Sequence, residues 1–283
     1  MKSKMDLNIF RDKMNDGIIN AIEYKNKFVP STLYKYVPLL DDRYVKYEEE
    51  NKKKLDSLKD NKLWVSHYKS FNDPFEFKMM TIDMEKLKGT GWTYEKIDNY
   101  LEDFRNATFI SCFSSEVDNN MPMWAHYTNN HKGYCIKYSI LNANSIYPVS
   151  YEPVRTKSAV IVTNIINEMI QAYSQNLKSP TEKFYEYFTY FYLSLSCKHN
   201  FWNYEKEYRL LYLNIDTNNK TGKLINLSEI GIRVDAIYIG YKCDESYVSE
   251  LINIGKYIGC EVYKMEFDEY GEEFKLKSKK IVN

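Results

Sequence analysis

One run of ten residues constrains the fold most strongly. Residues Tyr204 to Leu213, "YEKEYRLLYL", are rich in aromatic and aliphatic side chains, which is typical of a β-strand. Successive side chains of a strand point to opposite faces, so Glu205, Glu207 and Arg209 are expected to share one face. The sequence therefore predicts a sheet in which two carboxylates and a guanidinium lie on one small surface.

Further strand-like runs alternate with segments of helical periodicity. We expect strands within residues 32–39, 62–71, 107–115, 134–139, 147–154, 234–241 and a terminal strand or hairpin within 260–281. Helices are expected within residues 8–27, 41–62, 159–177, 181–196 and 244–259. This order predicts an α+β fold with a central, mostly antiparallel sheet and flanking helices. We expect an N-terminal helical extension over residues 1–30 and a single α+β domain over residues 31–283.

The short motif "NDPFE" has a structural interpretation. Asn72 or Asp73 is expected to cap a helix that begins at Pro74, with Glu76 in its first turn, where the helix dipole favours an acid. The functional alternative is a fixed loop beside a pocket.

The charge balance limits the classes of partner. Lys plus Arg number 39 and Asp plus Glu also number 39, so no overall positive field favours nonspecific nucleic-acid binding. No leader pattern or membrane-spanning apolar stretch is present, and we expect a cytoplasmic protein that does not bind membranes. The five cysteines form no CxxC pair, which argues against a disulfide framework and a zinc ribbon.

Histidine and cysteine give weaker candidates for chemistry. His126 and His131 are five residues apart, which is not a usual ligand spacing, so we predict no metal site. Cys135 with either histidine would form a nucleophile pair, but its apolar alternation favours a packed thiol. The carboxylate pair Glu205 and Glu207 is the stronger candidate, and its structural alternative is an ion network in which Arg209 and nearby lysines neutralise both acids.

Six motifs occur in an order that resembles a widespread bacterial family, domain of unknown function 2971. They are "LYKY" (33–36), "FNDPFE" (71–76), "SCFS" (111–114), "MWAHY" (123–127), "HKGYCIKY" (131–138) and "WNYEKEYR" (202–209). The family is similar to abortive-infection, phage-resistance proteins. The resemblance implies a role in phage defence or in a toxin–antitoxin pair.

The chain also resembles the ADP-ribosyltransferase fold, in which a split sheet holds NAD as a substrate. That resemblance implies that Glu207 is the catalytic acid and Glu205 the upstream member of an "ExE" pair. His126 is a further catalytic candidate. The resemblance implies that the cofactor is bound by Lys35 or Tyr36, where the fold has His or Arg, and by Ser111, Ser114, Tyr127 and Arg209.

Two alternatives stay open at this point. In the first, the motifs form a non-catalytic module of a defence system that binds a small molecule, a nucleotide or a protein partner. In the second, Asp73, Glu76, Glu205, Glu207 and a histidine surround magnesium in a nuclease or phosphoesterase, because hard oxygen ligands suit that ion.

Overall fold

A computed structural model describes residues 5–78, 80–118, 120–158, 161–214, 221–272 and 275–282 of the chain. The α-helices of these residues are α1 (Leu7–Asn15), α2 (Ile18–Asn26), α3 (Tyr47–Lys59), α4 (Tyr94–Ala107), α5 (Met121–Tyr127), α6 (Ile161–Ser174), α7 (Glu182–Leu195) and α8 (Glu245–Ile258). Side-chain caps from Asp6, Asn120 and Asp244 accept backbone N–H groups in the first turns of α1, α5 and α8. In this part of the chain, no helix is long and apolar enough to cross a membrane.

The strands are short, and most of them join one large sheet. They are β1 (Thr32–Val37), β2 (Lys62–His67), β3 (Met80–Ile82), β4 (Thr108–Ser114), β5 (Tyr134–Ile140), β6 (Ile146–Pro148), β7 (Ser150–Glu152), β8 (Thr156–Ser158), β9 (Cys197–His199), β10 (Glu207–Leu213), β11 (Gly222–Asn226), β12 (Ile232–Ile239), β13 (Glu261–Phe267) and β14 (Leu276–Val282). The strand order is β11-β2-β4-β1-β5-β12-β13-β14, with β10 paired to β4 and β6. The pairs in this sheet are antiparallel except the parallel pair β12–β13. The predicted α+β class with a mostly antiparallel central sheet is confirmed.

The sheet forks at β4. Along one edge, β4 pairs with β10 from Thr108 to Ser114. On the other edge, β2 pairs near the start of β4, at Phe109 and Ile110, whereas β1 pairs at its end, at Ser114. Because β1 and β2 leave β4 at different points, the middle of β4 is flanked by a gap between them.

The two faces of the sheet pack against different helices. On one face, Leu33, Phe113 and Leu210 lie in a core cluster with Leu55 of α3 and Leu251 of α8. On the other face, a second cluster joins strands β4 and β10 to helices α1, α4, α6 and α7, through Phe10, Ile97, Ile110, Ile165, Phe191 and Leu211. A third cluster, around Trp124 of α5, covers β1 and β5.

Three local predictions were wrong. The helix expected over residues 8–27 is two helices, because Gly17 has φ 123° and interrupts the helical backbone between α1 and α2. The helix expected at Pro74 is a turn, in which the Asp73 carboxylate accepts the Phe75 N–H at 2.9 Å. The predicted division of the chain into a helical extension (residues 1–30) and a single α+β domain (residues 31–283) is a separate matter and stays a prediction.

The third error concerns the run from Tyr204 to Leu213. Its strand begins only at Glu207, and Glu205 ends a 3-10 helix over Asn200–Glu205. Lys206, with φ 45°, has a left-handed backbone that separates this helix from β10. Glu205 therefore reaches the same region as Glu207 by a turn and not by strand alternation.

Candidate active site

A cavity of about 180 Å³ lies at the fork of the sheet. It is reached by side chains from β1, from the end of β4, from α5 and from the segment that leads into β10. We call it the fork cavity, and its polar walls are Tyr34, Lys35, Tyr36, Ser66, Cys112, Ser114, Tyr127, Lys198, Glu205 and Glu207. The predicted residues Lys35, Tyr36, Ser114, Tyr127, Glu205 and Glu207 are thus brought to one place.

Arg209 organises the buried side of the cavity. Its guanidinium is fully buried and donates to both oxygens of Glu76, at 2.5 and 3.1 Å, and to both oxygens of Glu207, at 2.8 and 3.3 Å. A further bond of 2.5 Å goes to the Leu195 carbonyl. Glu207 and Arg209 meet because residues two apart in β10 share a face, as the sequence predicted. Such a planar, bidentate donor holds two carboxylates in fixed orientations.

Lys198 links the two acids of the pair. Its ammonium donates to Glu205 Oε2 at 2.6 Å and lies 3.4 Å from Glu207 Oε2. The ammonium also lies 4.5 Å from the centre of the Trp202 ring. Tyr127 donates its hydroxyl to the other oxygen of Glu205. We call Glu76, Lys198, Glu205, Glu207 and Arg209 the charge cluster, which carries one excess negative charge when its three acids are ionised.

The two acids of the pair have opposite pKa shifts. Burial raises the pKa of Glu205, the negative charge of Glu207 raises it further, and Lys198 and Tyr127 offset only part of this, so that the value is about 7. Burial also acts to raise the pKa of Glu207, but Arg209 and Lys198 outweigh it and lower the value to about 2. At neutral pH, Glu207 is therefore a fixed anion, whereas Glu205 exchanges a proton.

Lys35 enters the gap between β1 and β2. Its ammonium donates to Ser111 Oγ at 2.7 Å and lies 3.5 Å from the Cys112 carbonyl, which is in the part of β4 beside the gap. It also lies 5.7 Å from the centre of the Phe113 ring. Burial lowers the pKa of Lys35. A cation with only neutral acceptors at its head is suited to receive an anion from the cavity.

The other predicted residues take different positions. Tyr36 donates its hydroxyl to the Glu116 carbonyl at 2.8 Å, and Ser114 Oγ accepts the Glu116 N–H at 3.3 Å. His126 is exposed and does not line the fork cavity, because it lies on the outer side of α5, where Nδ1 is 3.2 Å from the Tyr204 hydroxyl. Arg209 binds Glu76 and Glu207 but is not itself a wall of the cavity.

Sequence reasoning missed the roles of Lys198 and Glu76. Lys198 precedes Glu205 by seven residues and lies outside the "WNYEKEYR" motif, which begins at Trp202. Glu76 lies 133 residues from its partner Arg209, and only the "FNDPFE" motif signalled its importance. The helix-cap interpretation of that motif explained Asp73 in part, but the acid at residue 76 serves as a counter-ion.

The structure also bears on the two alternatives of a cysteine nucleophile and a metal site. Cys135 is fully buried, and burial raises the pKa of its thiol well above the usual value, which disfavours the nucleophilic thiolate. Among the described residues, no group of three or more His, Cys, Asp or Glu side chains is placed to hold a metal ion. The carboxylates of Glu76 and Glu207 both face the guanidinium of Arg209, which occupies the space between them.

Comparison with known families assigns the centre of the chain. Residues 123–210 match the family model of a protein of unknown function, DUF2971. This segment is similar to the DUF2971 family. It contains Tyr127, Lys198, Glu205, Glu207 and Arg209, whereas the residues of β1 and β4 at the fork and Glu76 lie before it. Neither the curated proteins nor the solved structures gave a match to the chain.

Proposed function

We propose that this chain is an NAD-using enzyme that cleaves the bond between nicotinamide and ribose and transfers ADP-ribose to an acceptor. The observation that carries the proposal is the position of Glu205 and Glu207 in a cavity at a forked sheet, which Lys35 also lines. The resemblance to ADP-ribosyltransferases supplies the reaction class, and the proposal extends it by assigning a role to each charged group. A role in phage defence or in a toxin–antitoxin pair, in the cytoplasm, is proposed from the resemblance alone.

The charge cluster would favour the transition state through its negative excess. As nicotinamide leaves with the electron pair of its glycosidic bond, the ribose C1′ becomes positively charged. Glu207, held ionised by Arg209, is a fixed anion at the cavity wall and needs no reorganisation at that moment. A buried carboxylate acts more strongly than one in water because the surroundings are less polar.

Glu205 would handle the proton of the acceptor. The acceptor oxygen forms a bond to C1′ and gives its hydrogen to Glu205, which then releases it to solvent. A base with a pKa of about 7 is suited to this transfer near neutral pH. The Tyr127 hydroxyl holds one oxygen of Glu205, and Lys198 holds the other, so the carboxylate is kept in one orientation.

Lys35 and Tyr36 would hold the substrate from the β1 side. The ammonium of Lys35, which has neutral acceptors, attracts a phosphate of NAD, and the Tyr36 ring lines the cavity beside it. At roughly 30 Å³ for each water molecule, the fork cavity has room for about six waters, so it accepts one ring of the substrate and not the whole dinucleotide. We propose that this ring is the nicotinamide, because Glu205 and Glu207 line the fork cavity.

The proposal is tested by NAD consumption and by ADP-ribose labelling of protein, RNA and DNA acceptors. We expect turnover with the wild type and a loss of about 100-fold or more in Glu207→Gln, the size typical of removing one transition-state interaction. Glu205→Gln is expected to lose about 100-fold. The matched control is Glu266→Gln, which changes a carboxylate of β13 far in sequence from the cluster and should leave the rate unchanged. Absence of turnover in folded wild type would overturn the proposal.

A second candidate function is a non-catalytic binding module. The observation that favours it is the mutual satisfaction of Glu76, Glu207 and Arg209, which resembles a structural ion network. This candidate predicts that NAD or another small molecule binds in the fork cavity without being cleaved. Saturable NAD binding to wild type, with no nicotinamide released over many hours, would favour it over the transferase.

A further inference from the structure

A second cavity, of about 650 Å³, lies beside the fork. It is enclosed by the end of β1, helix α3, the start of β2 and the central residues of β5. We call it the α3 groove. Lys35 and Tyr36 are walls of both this groove and the fork cavity, whereas Glu205, Glu207 and Lys198 line the fork cavity and not the groove. The volume is in the usual range of small-molecule pockets, roughly 300–1,000 Å³.

The groove has an apolar floor and one prominent aromatic wall. Alternate residues of β5, namely Tyr134, Ile136 and Tyr138, form the floor together with Leu58 of α3. The Trp64 side chain is 43% exposed although it is the largest apolar group of β2. Its ring is packed against Gly222 of β11, where a Cβ atom would lie 2.3 Å from Trp64 Cζ2. Gly222 thus provides room for the indole, which presents a flat surface to a planar ligand.

The charge at the groove is positive. Lys53 and Lys62 lie on its walls and pair with Glu50, at 2.8 Å, and Asp60, at 3.3 Å. Lys54 instead donates to the Pro38 carbonyl at 2.8 Å, and burial lowers its pKa to about 8. In the part of the chain that the structure describes, no carboxylate lies within ion-pair distance of Lys54 or Lys35. These two ammonium groups therefore lack a counter-charge that a bound anion would supply.

We propose that the α3 groove binds a nucleoside phosphate, with the base against Trp64 and the phosphate at Lys54. A planar base suits the exposed indole and the apolar floor, and the phosphate matches the uncompensated lysine. This site is separate from the proposed NAD chemistry, since its distinguishing residues lie on α3 and β2 and not in the charge cluster. The groove would let a nucleotide regulate the chain or hold a nucleotide-bearing acceptor.

The test is isothermal titration of ADP into the purified full chain, with adenosine and inorganic phosphate as separate probes. We expect ADP to bind at one site, with adenosine and phosphate each at least about tenfold weaker. Lys54→Met should weaken ADP binding by about tenfold or more, and Lys54→Arg, which keeps the charge, should restore most of it. Lys59→Met is the matched control, because Lys59 lies on the same helix, contacts the Tyr257 ring and is not a wall of the groove.

Two further variants separate this site from the fork cavity. Trp64→Ala should weaken ADP and adenosine binding but leave phosphate binding unchanged, and Glu205→Gln should leave ADP binding unchanged. The proposal is overturned if folded wild type shows no heat of ADP binding. It is also overturned if Glu205→Gln abolishes binding while Lys54→Met does not, because ADP would then occupy the fork cavity. Equal affinities for phosphate and ADP would refute the contact of the base with Trp64.

Discussion

Lys198 and Lys25 are both buried lysines, yet their surroundings have opposite effects. Burial lowers the pKa of Lys198, but the carboxylates of Glu207 and Glu205 outweigh it and raise the value. Lys25 donates instead to the Asn26 side chain and to the carbonyls of Ala143 and Ile146, at 2.6–2.8 Å. Burial then lowers the pKa of Lys25 to about 7. The identity of the acceptors, and not burial alone, decides whether a buried lysine keeps its charge.

The two lysines differ in role, because Lys25 makes a structural contact whereas Lys198 belongs to a cluster that lines a cavity. Lys25 ties α2 to the start of β6 and has no anion to balance its charge among the described residues. In the charge cluster, Arg209 and Lys198 lower the pKa of Glu207, whereas burial raises the pKa of Glu76 and raises that of Glu205 to about 7. A group that titrates near neutral pH beside a cavity is a candidate for proton transfer, whereas one that only binds carbonyls is not.

The largest expected effect comes from removing the cation at the centre of the charge cluster. Arg209→Met leaves Glu76 and Glu207 buried without their guanidinium, and we expect the free energy of unfolding to fall by about 3–5 kcal/mol. Urea denaturation measures this change. Arg233→Met is the control, since Arg233 pairs on an exposed surface with Asp235 and should cost less than about 1 kcal/mol. A loss below about 1 kcal/mol for Arg209→Met would contradict a central role for this cation.

A smaller effect is expected from the pH dependence of Glu205. Its pKa is raised from 4.5 to about 7 on folding, so the folded state binds more protons between these values. The free energy of unfolding should therefore fall as pH rises from about 4.5 to 7, by on the order of 3 kcal/mol from this group. Glu205→Gln should remove that slope. An identical pH profile for wild type and variant would show that Glu205 does not titrate in this window.

Lys25 is expected to change the free energy of unfolding with pH in the opposite direction to Glu205. Its pKa falls from 10.5 to about 7 on folding, so the unfolded chain binds more protons between these values and stability should rise as pH increases across them. Lys25→Met should flatten this rise and cost about 1–3 kcal/mol at high pH, because two carbonyls lose their donor. Chemical denaturation between pH 7 and 9 measures both. A Lys25 contribution to the free energy of unfolding that decreases as pH rises would contradict a lowered pKa for this lysine.

The sequence allowed much of the fold to be predicted, because alternation and helical periodicity are local signals. The strand positions of β1, β2, β4, β5 and β12 follow from such patterns. The fork does not, since it depends on β1 and β2 pairing with different parts of β4, which lies far along the chain. Pairing partners are set by tertiary packing that no short window contains.

The candidate site was predictable to a similar extent. The i, i+2 spacing placed Glu207 and Arg209 together correctly, but Lys206 adopts a left-handed backbone that a strand pattern does not predict. The ion pair between Glu76 and Arg209 spans 133 residues, and Lys198 carries no motif, so neither contact could be derived from spacing. Exposure of His126 likewise depends on how α5 packs against the sheet.

The most direct test of the account is the pH dependence of ADP-ribose transfer to the acceptor by the wild type and by Glu205→Gln. If Glu205 is the base, the wild-type rate should rise about tenfold for each pH unit below about 7 and then level off. The variant should be slower and should lack this rise. A wild-type rate that is unchanged between pH 5 and 8, or a rise that persists in Glu205→Gln, would contradict the role of the charge cluster in proton transfer.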